Sequence, residues 1–472
     1  MSILKYKSLK DTTITNAFKQ DLINRATGSN MGASDSLEVF SIFGQATTSS
    51  LENSRIIMKF DVDSIINDRS SSKIDLSGSV NFFLKLHNAE HPFSLPKNYN
   101  LKIAPLIQNW DEGYGLDMEG YSDAGYGDGG YGANWIFATQ ELTWSGGAGG
   151  TTSSLYNYTQ HIEEGPEDID VNITDLVEAW IAGNIQNNGI LISMSGAAED
   201  GTSLRSFYTK KFFSRTTDFF YKSPSIEARW DSSRQDDRNN FYSSSSLLSN
   251  ADNTYNLFFY NRVAGKLKNI YGDVLPSVRI YSDSQYQNLV TTASSVITNP
   301  SAGTYKCALI LGTTASVLYD KWYNTSSLTS YFSSSFEVNQ YQGSDYDNQS
   351  QYIINFTNLK SKYSSSEYPV FKIYIRERDW SPTIYSVATT DIENTILKDV
   401  YYKIFRVEDN ESIIDYSTGS IAYTKLSYDK NGLYFSLNMN LLEPDYSYGI
   451  KLARYDGTNI EEFKEIFKFR VV

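Results

Sequence analysis

Short apolar and aromatic runs, separated by clusters of Ser, Asn, Gly and Asp, recur along the whole chain. Ser54 to Asp61, Val80 to Leu86, Ile190 to Met194 and Ser225 to Trp230 are examples from the first half. Runs of this length bounded by turn residues read as β-strands. The 36 Tyr and 25 Phe reinforce the reading, because aromatic residues suit pleated, half-buried surfaces. Regularly spaced strands with few helical patterns between them pack as sandwiches. The expected fold class is therefore all-β, as tandem β-sandwiches. One helix is expected, over Ile173 to Ala182: Leu176, Val177, Trp180 and Ile181 fall at helical spacing, with Thr174 as cap and Gly183 as stop.

Composition shifts divide the 472 residues into segments. Residues 1–231 form the first expected domain. The polar stretch 232–253 (SSRQDDRNNFYSSSSLLSNADN) reads as a surface linker. Residues 254–338 hold strand-like runs at Tyr255 to Arg262, Val278 to Tyr281, Tyr305 to Leu311 and Phe336 to Val338, enough for one immunoglobulin-like sandwich. A second polar joint lies near Asn339 to Asn348. Residues 349–472 supply strands at Tyr352 to Phe356, Val370 to Arg376, Val400 to Val407, Leu433 to Met439, Tyr448 to Arg454 and Phe463 to Val472. Within this segment, Leu441 to Tyr448 resembles the corner of fibronectin-like domains, in which a Tyr near a strand start bonds back to the preceding turn. The second and third segments thus read as Ig/fibronectin-like sandwiches and as possible copies of one type.

Charge and cysteine content narrow the function classes. A net charge of -14 with no Lys/Arg stripe argues against nucleic-acid binding. Cys307 is the only cysteine, so no intrachain disulfide forms; its apolar setting (TYKCALIL) reads as a core thiol. No run reaches the ~18 apolar residues of a membrane span, and the N-terminal MSILKYKSLKDT lacks a signal-peptide pattern. A cytoplasmic site of synthesis is the expectation.

The order of several motifs carries a resemblance. Lys10-Asp11-Thr12-Thr13-Ile14 opens it, followed by Asn30-Met31-Gly32 and Leu37-Glu38-Val39. The strand Arg55 to Asp61, the turn Asn109 to Gly113 and the stretch Asp170 to Val177 continue it. The run Trp180 to Asp231 closes it with Lys-Lys-Phe-Phe-Ser-Arg and Glu-Ala-Arg-Trp-Asp. This order resembles DNRLRE-type β-sandwich domains. The wording Glu112 to Glu119, then Tyr121, Asp123 and Ala133-Asn134-Trp135, with Asn256 to Asn261 and Gly265 to Leu267, is similar to virion structural proteins of marine tailed phages. The resemblance spans about Asp11 to Leu267. It implies an N-terminal jelly-roll-like domain and a non-enzymatic structural protein of a phage virion, at the neck, tail or baseplate or as capsid decoration. It also implies other virion proteins as partners and a homo-oligomer in a symmetric assembly. Because DNRLRE-type domains also resemble carbohydrate-binding modules, contact with a host-surface glycan is a second expectation.

The loop Trp110 to Trp135 concentrates the candidate residues. Trp110, Tyr114, Tyr126, Tyr131 and Trp135 supply aromatic faces for a partner or a sugar ring. Asp111, Asp117, Asp123 and Asp128 are carboxylates on a Gly-rich loop, a Ca²⁺-type donor set, although their spacing matches no EF-hand. The alternative is a solvated surface loop whose Tyr and Trp side chains pack on the sandwich. Glu112 with Asp117 is the one conceivable glycosidase pair. His87, His91 and His161 are the only histidines; His87 and His91 lack a nearby third ligand, so a surface role is preferred over zinc. No Gly-x-Ser-x-Gly or phosphate-binding Gly-rich motif occurs. Lys210 to Arg215 is read as a strand alternating between core and surface. No cofactor and no catalytic residue are expected.

Overall fold

The computed structural model describes residues 2–43, 50–71, 73–74, 79–92, 94–116, 132–151, 155–203, 205–272, 274–293, 297–341, 351–378 and 394–472. The protein is all-β, built from sandwiches in series along the chain. It divides into two compact units, residues 2–230 and 231–472. Among the described residues, no helix is long and apolar enough to cross a membrane.

The first unit is organised by β1 (Ile3–Thr15), which belongs to two sheets. Its first half, Ile3 to Lys7, pairs antiparallel with β10 (Ser225–Arg229). Its second half, Ser8 to Thr15, pairs with β3 (Leu51–Phe60). The register shifts between Ser8 and Lys10, and Leu9 there is 54% exposed. A bulge of this kind re-aims a strand and lets it cross from one sheet to another. On the β10 side, β4 (Asn81–Leu86) and β7 (Ile169–Asn172) complete the layer. On the β3 side, β8 (Ile190–Met194), β5 (Tyr99–Pro105) and β6 (Tyr158–Ile162) follow. The pair β2 (Ser36–Phe43) and β9 (Phe207–Phe213) joins β3 through β2.

Among the described residues, two α-helices belong to this unit. The helix α1 (Val62–Ser70) has no counterpart in the expected elements; Asp61 caps it by accepting the Ser64 N–H at 3.1 Å. The helix α2 (Thr174–Ile181) occupies the expected place, but Thr174 is inside it and makes no cap. Instead the Thr174 hydroxyl accepts the Phe82 N–H at 2.9 Å, tying α2 to β4. Gly183 closes the helix with φ +70°. A bidentate pair from Arg69 to Glu178, at 2.8 and 2.7 Å, links the helices.

The second unit contains two sandwiches of one topology. In the first, a sheet runs β11 (Phe241–Tyr242), β20 (Ser330–Asn339), β19 (Val317–Tyr323), β15 (Ser277–Tyr281), β16 (Leu289–Ala293). It faces β12 (Tyr255–Tyr260), β18 (Thr304–Leu309), β17 (Ile297–Ser301). A small hairpin, β13 (Arg262–Val263) with β14 (Lys266–Leu267), leaves the sandwich after β12. In the second, β22 (Lys362–Tyr363), β30 (Phe467–Val471), β28 (Ser447–Tyr455), β24 (Val400–Arg406), β25 (Ser412–Ile414) form one sheet, with β29 (Ile460–Glu462) on β28. The other is β21 (Tyr352–Phe356), β23 (Val370–Glu377), β27 (Gly432–Ser436), β26 (Ser427–Asp429). Taken in chain order, β12-β18-β17 matches β23-β27-β26, and β20-β19-β15-β16 matches β30-β28-β24-β25. In each sandwich a short strand also runs parallel to the last one, β11 on β20 and β22 on β30.

The stretch 232–253 differs from the expected solvated linker. Asp236, Asp237 and Arg238 are 6, 2 and 4% exposed. Arg238 donates to Asp320 at 2.7 Å, to the Phe258 carbonyl at 2.9 Å and to Asp236. Trp322 donates its indole N–H to the same Asp320 at 2.7 Å. Polar composition misled the reading because these charges are paired inside, which is the condition under which burial is tolerated. Cys307, on β18, is buried as expected, and burial pushes its thiol up to about 12.

Candidate functional site

The connection from β5 to β6 spans residues 106–157 and contains the Gly/Tyr-rich loop. Its two ends are drawn together by one side chain, Asn30, which is 0% exposed. The Asn30 Nδ2 donates to the Glu112 carbonyl at 2.7 Å and the Ala133 carbonyl at 2.8 Å. Its Oδ1 accepts the Gly32 N–H at 3.0 Å and the Gly115 N–H at 3.1 Å. The amide thereby uses both donors and both lone pairs of its oxygen. The approach is so close that a Cβ on Gly115 would lie 1.7 Å from the Asn30 carbonyl oxygen, and one on Gly32 2.2 Å from the Glu112 carbonyl oxygen. Only glycine fits there.

Below this clamp lies an aromatic floor. Trp110 is 0% exposed and packs with Ile14, Ile57, Leu106, Trp144 and Leu191. Its indole N–H donates to the Asn188 carbonyl at 3.0 Å, and the Lys10 ammonium lies 4.4 Å from its ring. Burial pushes the Lys10 ammonium down to about 8. Trp135 leans on the same cluster, with the Arg55 guanidinium 4.9 Å from its ring; Arg55 is itself paired to Glu199 at 2.7 Å.

A charged group borders the floor. Glu112 accepts both arms of Arg215, at 3.1 and 2.9 Å, and the Asp11 N–H at 2.8 Å. Asp11 accepts the Arg215 N–H at 2.8 Å and the Ser8 hydroxyl at 3.3 Å. Burial pushes the Asp11 carboxyl up to about 7, against the hydrogen bond from Arg215. Such a value would suit proton transfer, but Asp11 is 1% exposed and its oxygens face the framework. These acids brace the loop base.

Of the expected site residues, Trp110, Asp111, Tyr114 and Trp135 are among the described ones. Trp110, expected to present an aromatic face, is a core residue; its large apolar area and its one N–H are both satisfied inside. Trp135 is half-buried, and Tyr114 is 55% exposed beside Leu116 at 68%. Asp111 is exposed, and its backbone N–H donates to the Ala138 carbonyl at 3.0 Å. Tyr126, Tyr131, Asp117, Asp123 and Asp128 lie outside the described residues. Among the described residues, no group of three or more His, Cys, Asp or Glu is placed to hold a metal ion. The histidines are apart in role: His87 pairs with Asp168 at 3.1 Å, His91 meets the Thr209 carbonyl at 3.1 Å, and His161 meets Asn100 at 2.8 Å. Asn30 and Arg215 were not among the expected site residues; their partners lie 82 and 103 residues away in sequence, so no local pattern marks them.

No protein-family model and no curated protein sequence matches this chain. Among solved structures, it is similar to the N-terminal Ig1-2 module of the Drosophila receptor protein tyrosine phosphatase DLAR, at 9% identity over 46% of this chain and 90% of that one, with a TM-score of 0.15. It is also similar to trypsin-activated alpha-2-macroglobulin from Escherichia coli, at 10% identity over 88% of this chain and 23% of that one, again with a TM-score of 0.15. At such scores neither likeness carries an argument about function.

Proposed function

We propose that this chain is a non-enzymatic structural component of a tailed-phage particle, an attachment or adaptor protein at the neck, tail or baseplate. The observation that carries the reading is the Asn30 clamp. A buried side chain and crowded glycines fix both ends of a loop, while the nearby acids are spent on bracing it. Loops positioned by a rigid scaffold are where binding residues concentrate, which supports a contact role for this one. The sandwich architecture supplies non-catalytic scaffolds, and the order of motifs from Asp11 to Leu267, which resembles that of marine-phage virion proteins, suggests the setting. Binding would bury exposed groups such as Tyr114 and Leu116 against another virion protein or another copy of the chain.

Density-gradient purification of particles followed by quantitative mass spectrometry tests the proposal. Co-migration with the particle at a fixed copy number supports it; recovery only as free protein rejects it. A second reading, glycan binding, is favoured by the exposure of the Tyr114 ring on the β5–β6 connection. Glycan-array binding lost in Tyr114→Ala would favour that reading over the first.

A further inference from the structure

We propose that Lys210 and Asn88 become joined by an intramolecular amide bond that the folded chain forms unaided. Lys210 lies on β9 and is 0% exposed. Asn88, just beyond β4, bridges antiparallel to Phe212, so Lys210 is its diagonal neighbour. The Lys210 Nζ stands 2.5 Å from Asn88 Oδ1. A C=O length of about 1.23 Å then keeps the Asn88 Cγ within about 3.7 Å of Nζ, close to the ~3–3.5 Å from which reacting atoms attack.

The surroundings hold this pair in place. The carbonyls of Gly165 and Glu167 accept from Nζ at 2.6 and 2.8 Å, and the Phe212 ring lies 5.0 Å from it. Asp168 accepts the Asn88 backbone N–H at 2.8 Å, while its other oxygen faces His87 and Lys85, each at 3.1 Å. Burial pushes the Lys210 ammonium down to about 8 against the charges of Glu167 and Asp168. A fraction of the amine is therefore neutral, and nucleophilic, at neutral pH.

The step balances without an oxidant or cofactor. The ammonium sheds a proton, the Nζ–Cγ bond forms, and the Cγ–Nδ2 bond breaks. Nδ2 leaves as ammonia with one further proton from Nζ and takes up the proton first shed, so the products are one amide and one ammonium ion. The bond would close a covalent loop between positions 122 residues apart. It would lock β9 to the end of β4, a useful property in a protein under mechanical load. The chemistry does not depend on the virion assignment.

Peptide mapping of the purified wild-type chain tests this directly. The expected result is a branched peptide joining residues 88 and 210, with an intact mass lower by one ammonia, both absent from Lys210→Arg and Asn88→Ala. A linear peptide with Lys210 free, at the full sequence mass, overturns the proposal. Loss of ammonia with Lys210 still in a linear peptide also overturns it, and assigns the loss to a succinimide at an Asn-Gly step such as Asn431-Gly432. Because the wild-type chain is read first, the outcome stands even where a variant fails to fold.

Discussion

Asp11 is a carboxylic acid held where a negative charge is poorly solvated. Its folded value near 7 lies above the 3.8 of an unperturbed Asp. The folded chain therefore holds a proton that the unfolded chain releases between these values. From Asp11, stability falls as pH rises from about 4 to 7, and the full cost is present above that window. Asp11→Asn keeps an acceptor for the Arg215 N–H and carries no charge. Its stability relative to wild type should increase from pH 4.5 to pH 8, by about 3 kcal/mol at about 1.4 kcal/mol per unit. Denaturant titration at the two pH values reads the difference, and an unchanged gap would refute it. Asn30 sets a second test. Asn30→Asp keeps the oxygen that serves Gly32 and Gly115 but faces two carbonyls with no N–H to offer. It should cost about 2–4 kcal/mol, since buried carbonyls lose their donors. At this scale the sequence was partly misleading. The stretch around Trp110 reads either as a contact loop or as a surface loop whose Trp side chains pack on the sandwich, and only its neighbours Ile14, Ile57 and Leu191, from three separate strands, decide for packing.

Elements were legible where their cause is local. The strand-like runs at 190–194 and 352–356 coincide with β8 and β21. The Tyr448 corner was readable as well, because donor and acceptor lie five residues apart: the Tyr448 hydroxyl accepts the Glu443 N–H at 2.8 Å and donates to the Glu443 carbonyl at 2.9 Å. Tyr448→Phe leaves both backbone groups unpaired at a site that is 1% exposed, and should destabilise the chain by about 1–3 kcal/mol in urea denaturation. A loss near zero would mean that water replaces the hydroxyl. Elements were missed where the cause is distant. The helix α1 is short, has only Val62 and Ile65 buried, and leans on α2 through Arg69 and Glu178, 109 residues apart. The segment at 232–253 is held by Asp320 and the β12 backbone, which its own composition does not announce.

The whole chain is two units, and the second couples its sandwiches through a buried acid. Asp237 accepts the Tyr428 hydroxyl at 2.7 Å and the Asn256 N–H at 2.7 Å, with the Lys398 ammonium at 3.3 Å. Residues 2–230 and residues 231–472, expressed apart, should each unfold in one cooperative transition. Dividing the second unit into 231–341 and 351–472 strips Asp237 of Tyr428 and Lys398, and should lower the thermal midpoint of the first piece relative to the intact unit. Equal midpoints would show that the two sandwiches are energetically independent. The shared topology of those sandwiches was suggested by segment size and strand content but needed strand order to establish, because pairing partners such as β24 and β28 are far apart in sequence. The proposed role is that of a structural part of a phage particle. A cryo-EM reconstruction of particles containing the protein tests it most directly. Symmetric density at the neck, tail or baseplate into which each unit fits is the expected result; intact particles with no such density, and the protein free or on cell surfaces, would rule the role out.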